Sequence, residues 1–422
     1  MATQARNAES GDSDLFRRYE TVRGLTAGLV RPLSDADATA QSMPDASPAK
    51  WHLAHSTWFF ETFVLRDHMP EYELHDERWA YLFNSYYEAE GERHARPLRG
   101  LLTRPTFQEV LDYRAVVDEA ILAAMPTLSE RCGDLIELGL NHEQQHQELL
   151  LTDLKHLFWC NPLGIELWPA GPHVQHQLPA QSWLEGACGL VEVGMEEDGF
   201  SFDNERPRYR HYLAPHALAN RQVSNGEWLE FIDDRGYSNP ALWLSDGWDW
   251  VQREGVGHPL YWRAREQGWE HYTLSGWREI DLTDPVTHIS FYEAEAFSTW
   301  AGARLPTEQE LEVAARPLDP TLGVQLDAPG PVAPRCPQAG EGLLALFGNV
   351  WEWTGSAYRP YPGFKAAPGA VGEYNGKFMS NQFVLKGGSC ATPRGHVRAS
   401  YRNFFHPHQR WQFTGLRLAK DL

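Results

Sequence analysis

The chain has 422 residues and a formal net charge of −20 at pH 7. This charge excludes a typical nucleic-acid binder, which needs basic patches to replace the counterions of phosphates, and it also disfavours binding to an anionic membrane surface. Neither a bilayer-spanning run nor a signal peptide is recognisable, and the five scattered cysteines form no Cys-x2-Cys pair, so we expect a cytoplasmic protein with free thiols.

Helical patterns fill the first part of the chain. Apolar residues recur every three to four positions over residues 14–30, a second pattern begins near Ser47-Pro48, and a third covers residues 107–125. A fourth helix is predicted around His142 and His146. Four helices joined by loops predict an antiparallel bundle, and the core of such a bundle is a common location for a metal site.

His142 and His146 are candidate metal ligands, because two imidazoles four residues apart lie on the same face of a helix and can converge on one ion. The second helix offers a third ligand, either His52 or His55. We favour His55, since it lies on the same side as the apolar residues that would face the bundle interior. Three imidazoles leave up to three positions open on an octahedral ion, which suits iron(II) and dioxygen. Zinc held by three histidines and a water is the competing assignment.

Two carboxylates accompany these histidines on the predicted helix. By helix geometry, Glu143 is rotated by about 100° from His142, and Glu148 is rotated by about 200° from His146. Neither side chain is therefore expected to bind the ion directly, and we predict a solvated or supporting role for both.

The composition changes after about residue 164, where a stretch rich in Pro, Gly, His and Gln indicates a linker. Beyond it, short apolar runs alternate with turn signals, and helical patterns remain at residues 224–233 and 290–303. These features predict an α+β domain with much irregular structure. The predicted boundaries are residues 1–165 for the helical bundle, 166–184 for the linker and 185–422 for the α+β domain.

Motifs in both halves resemble known families. Trp51-x3-His55 followed by His142-x3-His146-x-Glu148 resembles the pattern of a DinB-type four-helix bundle. The carboxyl-terminal half resembles the formylglycine-generating-enzyme fold, which is related to C-type lectins. The motifs that carry this second resemblance include Asp203-Asn204-Glu205-Arg206-Pro207, Arg304-Leu305-Pro306-Thr307-Glu308, Gly348-Asn349-Val350-Trp351-Glu352-Trp353 and Leu385-Lys386-Gly387-Gly388-Ser389. The two halves cover nearly the whole chain, and their pairing resembles that of the ergothioneine-type sulfoxide synthases, which are non-haem iron enzymes.

This resemblance implies an oxidative reaction. The family uses iron(II) and O2 to join a thiol sulfur to imidazole C2 of hercynine (Nα-trimethylhistidine), usually leaving a sulfoxide. The three histidines would hold the iron, and Gln145 matches a residue that hydrogen-bonds the substrate imidazole. A quaternary ammonium cannot donate a hydrogen bond, so aromatic faces should hold it. Asn403 and Phe404 match substrate-contacting positions in the terminal segment.

Two departures from the best-known branch of the family concern the thiol donor. That branch binds the carboxylates of γ-glutamylcysteine with an Asp and an Arg placed just after the Asn-aromatic pair, where this chain has Phe405 and Gln409. Its catalytic tyrosine follows the Trp-Glu-Trp motif, where this chain has Val371, with Tyr374 as the nearest tyrosine. A γ-glutamyl donor is therefore not expected, and Phe405 and Tyr374 are predicted to contact substrate.

The long connection over about residues 69–104 offers a different tyrosine pair, and loops of this length are often functional. Tyr86 and Tyr87 resemble the proton-donating tyrosines of a second branch, which uses free cysteine. A phenol can donate a proton or a hydrogen atom to an iron-bound oxygen species. Arg96 matches the position expected to bind the donor's carboxylate. Arg99 is a poorer candidate by the same comparison.

The resemblance leaves the donor element open, because selenoneine synthases share the architecture and the hercynine acceptor but take selenium from a selenosugar. We favour free cysteine slightly, as the commoner activity. A formylglycine-generating enzyme is not expected, since it needs a pair of copper-binding cysteines and Cys390 stands alone after Gly-Gly-Ser. A zinc-dependent thiol transferase would leave the second domain unexplained, and a lectin-like binding module would leave the histidines unexplained. The family fold often holds a structural calcium ion as well.

Overall fold

The computed structural model describes residues 2–171, 176–195, 199–367, 372 and 375–422, with side chains from residue 14 onwards. The chain divides into two units, one built mainly from the residues up to Cys160 and the other mainly from those beyond it. The first unit is helical and the second combines helices with short strands, which confirms the predicted succession of a helical and an α+β domain. The linker boundaries at residues 166–184 stay a prediction.

The helices of the first unit differ greatly in length. They are α1 (Ala2–Val30), α2 (Asp35–Thr39), α3 (Ala49–Phe59), α4 (Trp79–Phe83) and α5 (Phe107–Trp159). All residues of α3 are buried, and the helix continues directly into a π-helix over Phe60–Arg66. The long connection between α4 and α5 contains two 3-10 turns, Glu88–Glu90 and Arg96–Leu101. The long predicted loop therefore has structure of its own.

α5 unites two helices that the sequence patterns predict separately. It begins at a capping box, in which Thr106 and Glu109 each accept a hydrogen bond from the other's backbone N–H. The helix continues past Pro126 to Cys132, where φ of −151° and ψ of 36° break the helical geometry beside Gly133. Glycine is a poor helix former, and kinks often occur at such residues. The predicted third and fourth helices are thus joined by a kink and not by a loop.

A buried ion-pair cluster fixes α5 to α1. The Glu143 carboxylate is fully buried and accepts hydrogen bonds from Arg23 Nη1 at 2.8 Å, from Thr26 Oγ1 at 2.6 Å and from Arg114. Burial alone would raise the pKa of Glu143, but the guanidinium groups of Arg114 and Arg23 outweigh it and hold the pKa at about 2. Glu143 therefore supports the helix arrangement from the interior and is not solvated.

The second unit is built from short strands. They are β1 (Trp183–Glu185), β2 (Gly189–Val193), β3 (Tyr209–Leu213), β4 (His216–Gln222), β5 (Trp262–Arg265), β6 (Gly268–Thr273), β7 (Gly276–Glu279), β8 (Trp351–Ala357), β9 (Phe383–Lys386), β10 (Asn403–Phe405), β11 (Thr414–Gly415) and β12 (Arg417–Asp421). They form sheets in the orders β1-β4-β12, β10-β9-β8-β11, β2-β3 and β5-β6-β7. β10 pairs antiparallel with β9, which places Phe404 opposite Val384.

Short helices accompany these sheets. They are α6 (Asn225–Asp233), α7 (Ser245–Glu254), α8 (Phe291–Trp300) and α9 (Glu308–Ala315). α6 and α8 match the two predicted helical patterns, whereas α7 and α9 were not predicted. Each of these two is ten residues or shorter, and α7 carries Gly247 among its tryptophans, which obscures the helical period. Among the described residues, no helix has the length and apolar character needed to cross a membrane.

We expect Glu143→Gln to lower the free energy of unfolding by about 3–5 kcal/mol, because the buried Arg114 would lose its anion and the buried Arg23 would keep only Asp118. The contribution of Glu143 is complete above its unfolded pKa of 4.5 and is lost as the pH falls through about 2, so urea unfolding at neutral pH measures it in full. Glu137→Gln is the matched control, since Glu137 joins the same helices through a partly exposed pair with Arg18 at 2.8 Å. Its expected cost is below about 1 kcal/mol. Equal losses in the two variants would contradict the assignment.

Candidate metal centre

Three histidines from two helices meet in the interior of the first unit. His55 comes from α3, and His142 and His146 come from α5. One ring nitrogen from each lies within 4.8 Å of the others, and Nε2 of His55 is 3.3 Å from Nε2 of His142. Two nitrogens that bind one ion at about 2.1 Å are separated by roughly 3.0–3.4 Å, so this spacing fits a shared ion. The structure brings the three predicted ligands together.

A glycine lets the two helices approach closely enough for this arrangement. Gly139 lies one turn before His142 on α5, where a Cβ atom would be 2.7 Å from the Phe60 ring and 2.9 Å from the Phe59 ring. Any larger residue would push the helices apart, because those rings are themselves buried. The ring centroid of Phe59 is 5.1 Å from that of His142. The aromatic wall beside the ligand therefore depends on this glycine.

The orientation of His55 is fixed on all sides. Its Nδ1 is 2.5 Å from the backbone carbonyl oxygen of Phe83, so Nδ1 carries the proton and Nε2 is available to an ion. The ring stacks between two indoles, with centroid distances of 4.6 Å to Trp51 and 5.8 Å to Trp58. The interplanar angles are 12° and 18°. Little freedom remains for the imidazole to turn away from the site.

His52, the other histidine of α3, has a different environment. Its Nδ1 lies 2.9 Å from Nδ1 of His146, and its Nε2 lies 3.0 Å from Oδ2 of Asp153. Both ring nitrogens of His52 thus have side-chain partners, and the ligand group holds His55 instead. The choice of His55 over His52 as candidate ligand agrees with this geometry. The hydrogen bond between His52 and the candidate ligand His146 is a feature that sequence reasoning missed.

Burial keeps the candidate ligands neutral. The side chains of His55, His142 and His146 are 1%, 4% and 8% exposed. Burial lowers the pKa of His142 to about 4, and burial together with the neighbouring His142 ring lowers the pKa of His55 and of His146. A neutral imidazole is the form that binds a metal, so no proton has to leave at physiological pH.

The donor set consists of neutral nitrogens, and Glu143 next to His142 is turned towards Arg23 and Arg114. Such a set suits iron(II) and also zinc(II), and it leaves positions open for other ligands. Within the described part of the chain, this is the one group of three or more His, Cys, Asp or Glu side chains placed to hold an ion. The structural calcium ion that the resemblance suggests has no such ligand group there.

A second feature of the first unit is a pocket of about 590 Å³ in the connection between α4 and α5. We call it the arginine-rich pocket, after its three arginines. Its lining includes Tyr81, Ser85, Tyr86, Arg93, Arg96 and Arg99. Arg96 and Arg99 lie three residues apart in a 3-10 turn, a geometry that places both side chains on the same side. The guanidinium of Arg96 lies over the Tyr86 ring, 5.4 Å from its centroid.

Arg99 is the buried arginine of this pocket, although the sequence ranked it below Arg96. It is 2% exposed, and its guanidinium lies on the indole of Trp51, 3.3 Å from the ring centroid. It donates hydrogen bonds to two hydroxyl groups, of Ser47 at 2.9 Å and of Ser85 at 3.3 Å. Among the described residues, no carboxylate lies within ion-pair distance of Arg99. Burial and then the nearby Arg96 lower the pKa of Arg99 to about 8.

The two predicted acid tyrosines lie in different surroundings. Tyr86 is half-buried and lines the arginine-rich pocket. Tyr87 is buried, and its ring packs against Phe63 at 5.1 Å and against Trp58 at 5.7 Å between centroids. Since Trp58 stacks on His55, one ring separates Tyr87 from a candidate ligand. Asn84 fixes this part of the loop by bonding both the backbone N–H and the carbonyl of Tyr87.

The other predicted substrate residues divide between the units. Gln145 lies on α5 between the two ligands of that helix and is half-buried. Asn403, Phe404 and Phe405 form β10 of the second unit, where Phe404 stacks on Tyr358 with a centroid distance of 4.1 Å. Phe405 contacts Trp411 edge-on at 6.1 Å. The predicted substrate residue Tyr374 lies outside the described residues, so its role stays a prediction.

Family models match both parts of the chain. Residues 18–150 match the DinB superfamily. Residues 170–323 and 330–422 match the sulfatase-modifying factor enzyme 1-like domain. The chain is also similar in sequence to formylglycine-generating enzymes. The formylglycine-generating enzyme of Thermomonospora curvata is 27% identical over 303 residues, but the match covers only 59% of this chain. This second likeness therefore concerns one domain.

Two further relatives match nearly the full length of the chain. The hercynine oxygenase of Mycobacterium tuberculosis is 34% identical over 426 residues, which covers 95% of this chain and 97% of that protein. The hercynine oxygenase of Mycolicibacterium smegmatis is also 34% identical, with the same coverage of each chain. The similarity thus spans the metal centre and the second unit together.

Proposed function

The chain belongs to the hercynine oxygenase family, and on this basis we propose that it is an iron(II)- and O2-dependent enzyme that forms a carbon–sulfur bond at imidazole C2 of hercynine, as a step of ergothioneine biosynthesis. The observation that carries the proposal is the buried group of His55, His142 and His146, in a chain of which 95% aligns with such an enzyme. Each imidazole is neutral and held in place, as a metal ligand needs to be.

Iron(II) bound by these imidazoles would supply O2 activation and a position for the donor's sulfur, whereas zinc(II) has no redox chemistry. The residues of the chain prepare the site. Trp51 and Trp58 cover both faces of His55, and Phe59 lies against His142. These rings exclude water from the ligand side chains, which keeps the imidazoles neutral and in position. An oxidative function requires a redox-active ion at this site, and we propose iron(II) because the chain belongs to the hercynine oxygenase family.

We propose free cysteine as the sulfur donor. A buried charge without a paired anion is costly, and the guanidinium of Arg99 bonds two serine hydroxyls, while the Asp153 carboxylate acts on it only from beyond ion-pair distance. The carboxylate of cysteine would supply the missing anion to Arg99, with Arg96 beside it. A selenosugar carries no carboxylate and would leave this charge unpaired. Phe405, in place of the family's acidic residue, further disfavours a γ-glutamyl donor.

Tyr86 and Tyr87 are proposed as the proton donors of the reaction. Support comes from their positions, since Tyr86 lines the arginine-rich pocket and the ring of Tyr87 packs on Trp58, which stacks on a ligand. A phenol carries an O–H group that it can donate as a proton. We assign the role to the pair.

The acceptor hercynine needs groups for its imidazole and for its trimethylammonium. We propose that Gln145 hydrogen-bonds the imidazole, since it lies on α5 between two ligands. By resemblance, we propose that the ring of Phe404, on β10 of the second unit, receives the quaternary ammonium. Asn403 and Phe405 flank it on β10, and Tyr374 is proposed as a further contact by resemblance alone.

A donor assay tests the proposed function. Protein loaded anaerobically with iron(II) is mixed with hercynine, O2 and one donor, and the product is identified by mass spectrometry. We expect hercynylcysteine sulfoxide from cysteine and little product from γ-glutamylcysteine or a selenosugar, with no turnover by zinc-loaded protein. Reaction with γ-glutamylcysteine alone would refute the donor assignment. Reaction with the selenosugar alone would make the protein a selenoneine synthase, and O2-independent thiol transfer by the zinc form would overturn the oxidative function.

Tyrosine variants test the proton donors. We expect Tyr86→Phe combined with Tyr87→Phe to slow sulfoxide formation by about 10²–10⁴-fold, the usual contribution of a general acid. Tyr81→Phe is the matched control, because Tyr81 lines the same pocket but is largely exposed. The initial rate and the product distribution are measured for each variant. An unchanged rate and product in the double variant would remove the acid role from the pair.

The carboxylate site is tested with a truncated donor. Arg99→Gln should raise the KM for cysteine by about 10- to 100-fold, since a charged hydrogen bond of about 1.5–3 kcal/mol is lost. With cysteamine, a thiol that lacks the carboxylate, the variant and the native protein should have similar KM values. Arg93→Gln is the control, because Arg93 is partly exposed and already pairs with Glu88 at 2.5 Å. Equal effects of Arg99→Gln on both thiols would contradict a carboxylate contact.

A further inference from the structure

The metal centre has a supporting side-chain relay that none of the predicted roles includes. His52 on α3 bridges His146 at 2.9 Å and Asp153 at 3.0 Å, and the three side chains are 4%, 8% and 7% exposed. We propose that Asp153 and His52 are positioning residues, which hold His146 in the one tautomer and orientation that can bind the ion. The inference rests on the metal site of the proposed function and adds residues to it.

Hydrogen-bond chemistry gives the relay a direction. An ionised carboxylate only accepts hydrogen bonds, so Nε2 of His52 must donate its hydrogen to Asp153. In a neutral imidazole the other nitrogen is then an acceptor, and Nδ1 of His52 accepts from Nδ1 of His146. Nδ1 of His146 therefore carries that ring's hydrogen, and its Nε2 is left with a lone pair for the ion. A carboxylate behind a ligand histidine also raises the basicity of that ligand.

The relay is anchored to the backbone at its far end. Oδ2 of Asp153 accepts a second hydrogen bond from the backbone N–H of Ser47 at 2.8 Å, just before α3 begins. This contact fixes the carboxylate relative to the helix that carries His52. A flexible acid at the surface could not hold a ring in one orientation, whereas this one is buried and bonded twice.

Helix periodicity explains why each helix supplies both a ligand and a support. On α3, His52 lies three residues before His55, and on α5, Asp153 lies seven residues after His146. Both spacings place the two side chains on one face of a helix. The ligand His55 uses a shorter support, the backbone carbonyl of Phe83 at 2.5 Å. No side-chain substitution removes that carbonyl, so the relay to His146 is the support that mutation can test.

The test measures metal binding, independently of turnover. Cobalt(II) is titrated anaerobically into the apoprotein, and its visible absorption reports both the affinity and the ligand field. We expect His52→Leu to weaken binding by about 10- to 100-fold and to change the spectrum. His52→Asn should recover most of the affinity, because an amide oxygen can replace Nδ1 as acceptor for His146. Asp153→Asn, which keeps an acceptor but loses the charge, should fall between His52→Leu and the native protein.

Controls separate positioning from general stability. His156→Leu removes a part-buried histidine of the same helix, bonded to Ser42 at 2.8 Å, and should leave cobalt affinity and spectrum unchanged. Thermal unfolding of each apoprotein shows whether the variant is folded. If His52→Leu does not fold, His52→Asn and Asp153→Asn decide the question. Native affinity and spectrum in folded His52→Leu and Asp153→Asn would overturn the inference, as would equal losses in His52→Leu and His52→Asn.

These outcomes are distinct from those that test the proposed function. If the native protein and its variants show the expected order of cobalt affinities but the iron-loaded protein does not convert hercynine, the relay stands and the proposed function fails. If hercynine is converted and the relay variants bind cobalt as the native protein does, the proposed function stands and the relay fails.

Discussion

A buried imidazole has two nitrogens, and a buried polar group needs a partner. The metal centre depends on this constraint, because the partner of one nitrogen decides that the other faces the ion. The carbonyl of Phe83 has this role for His55, and the ring of His52 has it for His146. The arrangement also requires α3 and α5 to lie very close, which Gly139 permits. The metal centre therefore requires both the close approach of the two helices and the hydrogen bonds that orient the ligand histidines.

Three buried arginines of the first unit differ in whether a carboxylate is paired with them. Arg23 and Arg114 surround Glu143, so their charges are compensated within the protein and hold helices together. Arg99 is as deeply buried but rests on an indole and two hydroxyl groups. Folding tolerates the first two charges because they are satisfied internally. Under the proposed function, the carboxylate of the donor would supply the paired anion that Arg99 lacks.

The sequence predicts the parts of the site that depend on local spacing. His142 and His146 follow from the period of a helix, and His55 follows from the apolar side of its helix. Tertiary contacts determine the remainder. The role of His52 depends on Asp153, about a hundred residues away, and the burial of Arg99 depends on Trp51. The kink at Cys132 lies beside Gly133, α7 carries Gly247 within a short helix, and α9 has only eight residues, too few for a helical period to stand out.

The indole of Trp51 lies between the arginine-rich pocket and the metal centre. One face carries Arg99 of the arginine-rich pocket, and the other carries the ligand His55. A mutation that reshapes this wall to admit a new donor would also loosen the metal ligand. If the arginine-rich pocket holds the donor as proposed, substitutions of Tyr86 and Arg96 would disturb the metal centre less than substitutions of Trp51, which stacks on His55. Trp51 contacts both Arg99 and His55, so a substitution there would affect both sites. The donor preference proposed for the pocket could change at its rim while the metal centre stays constant.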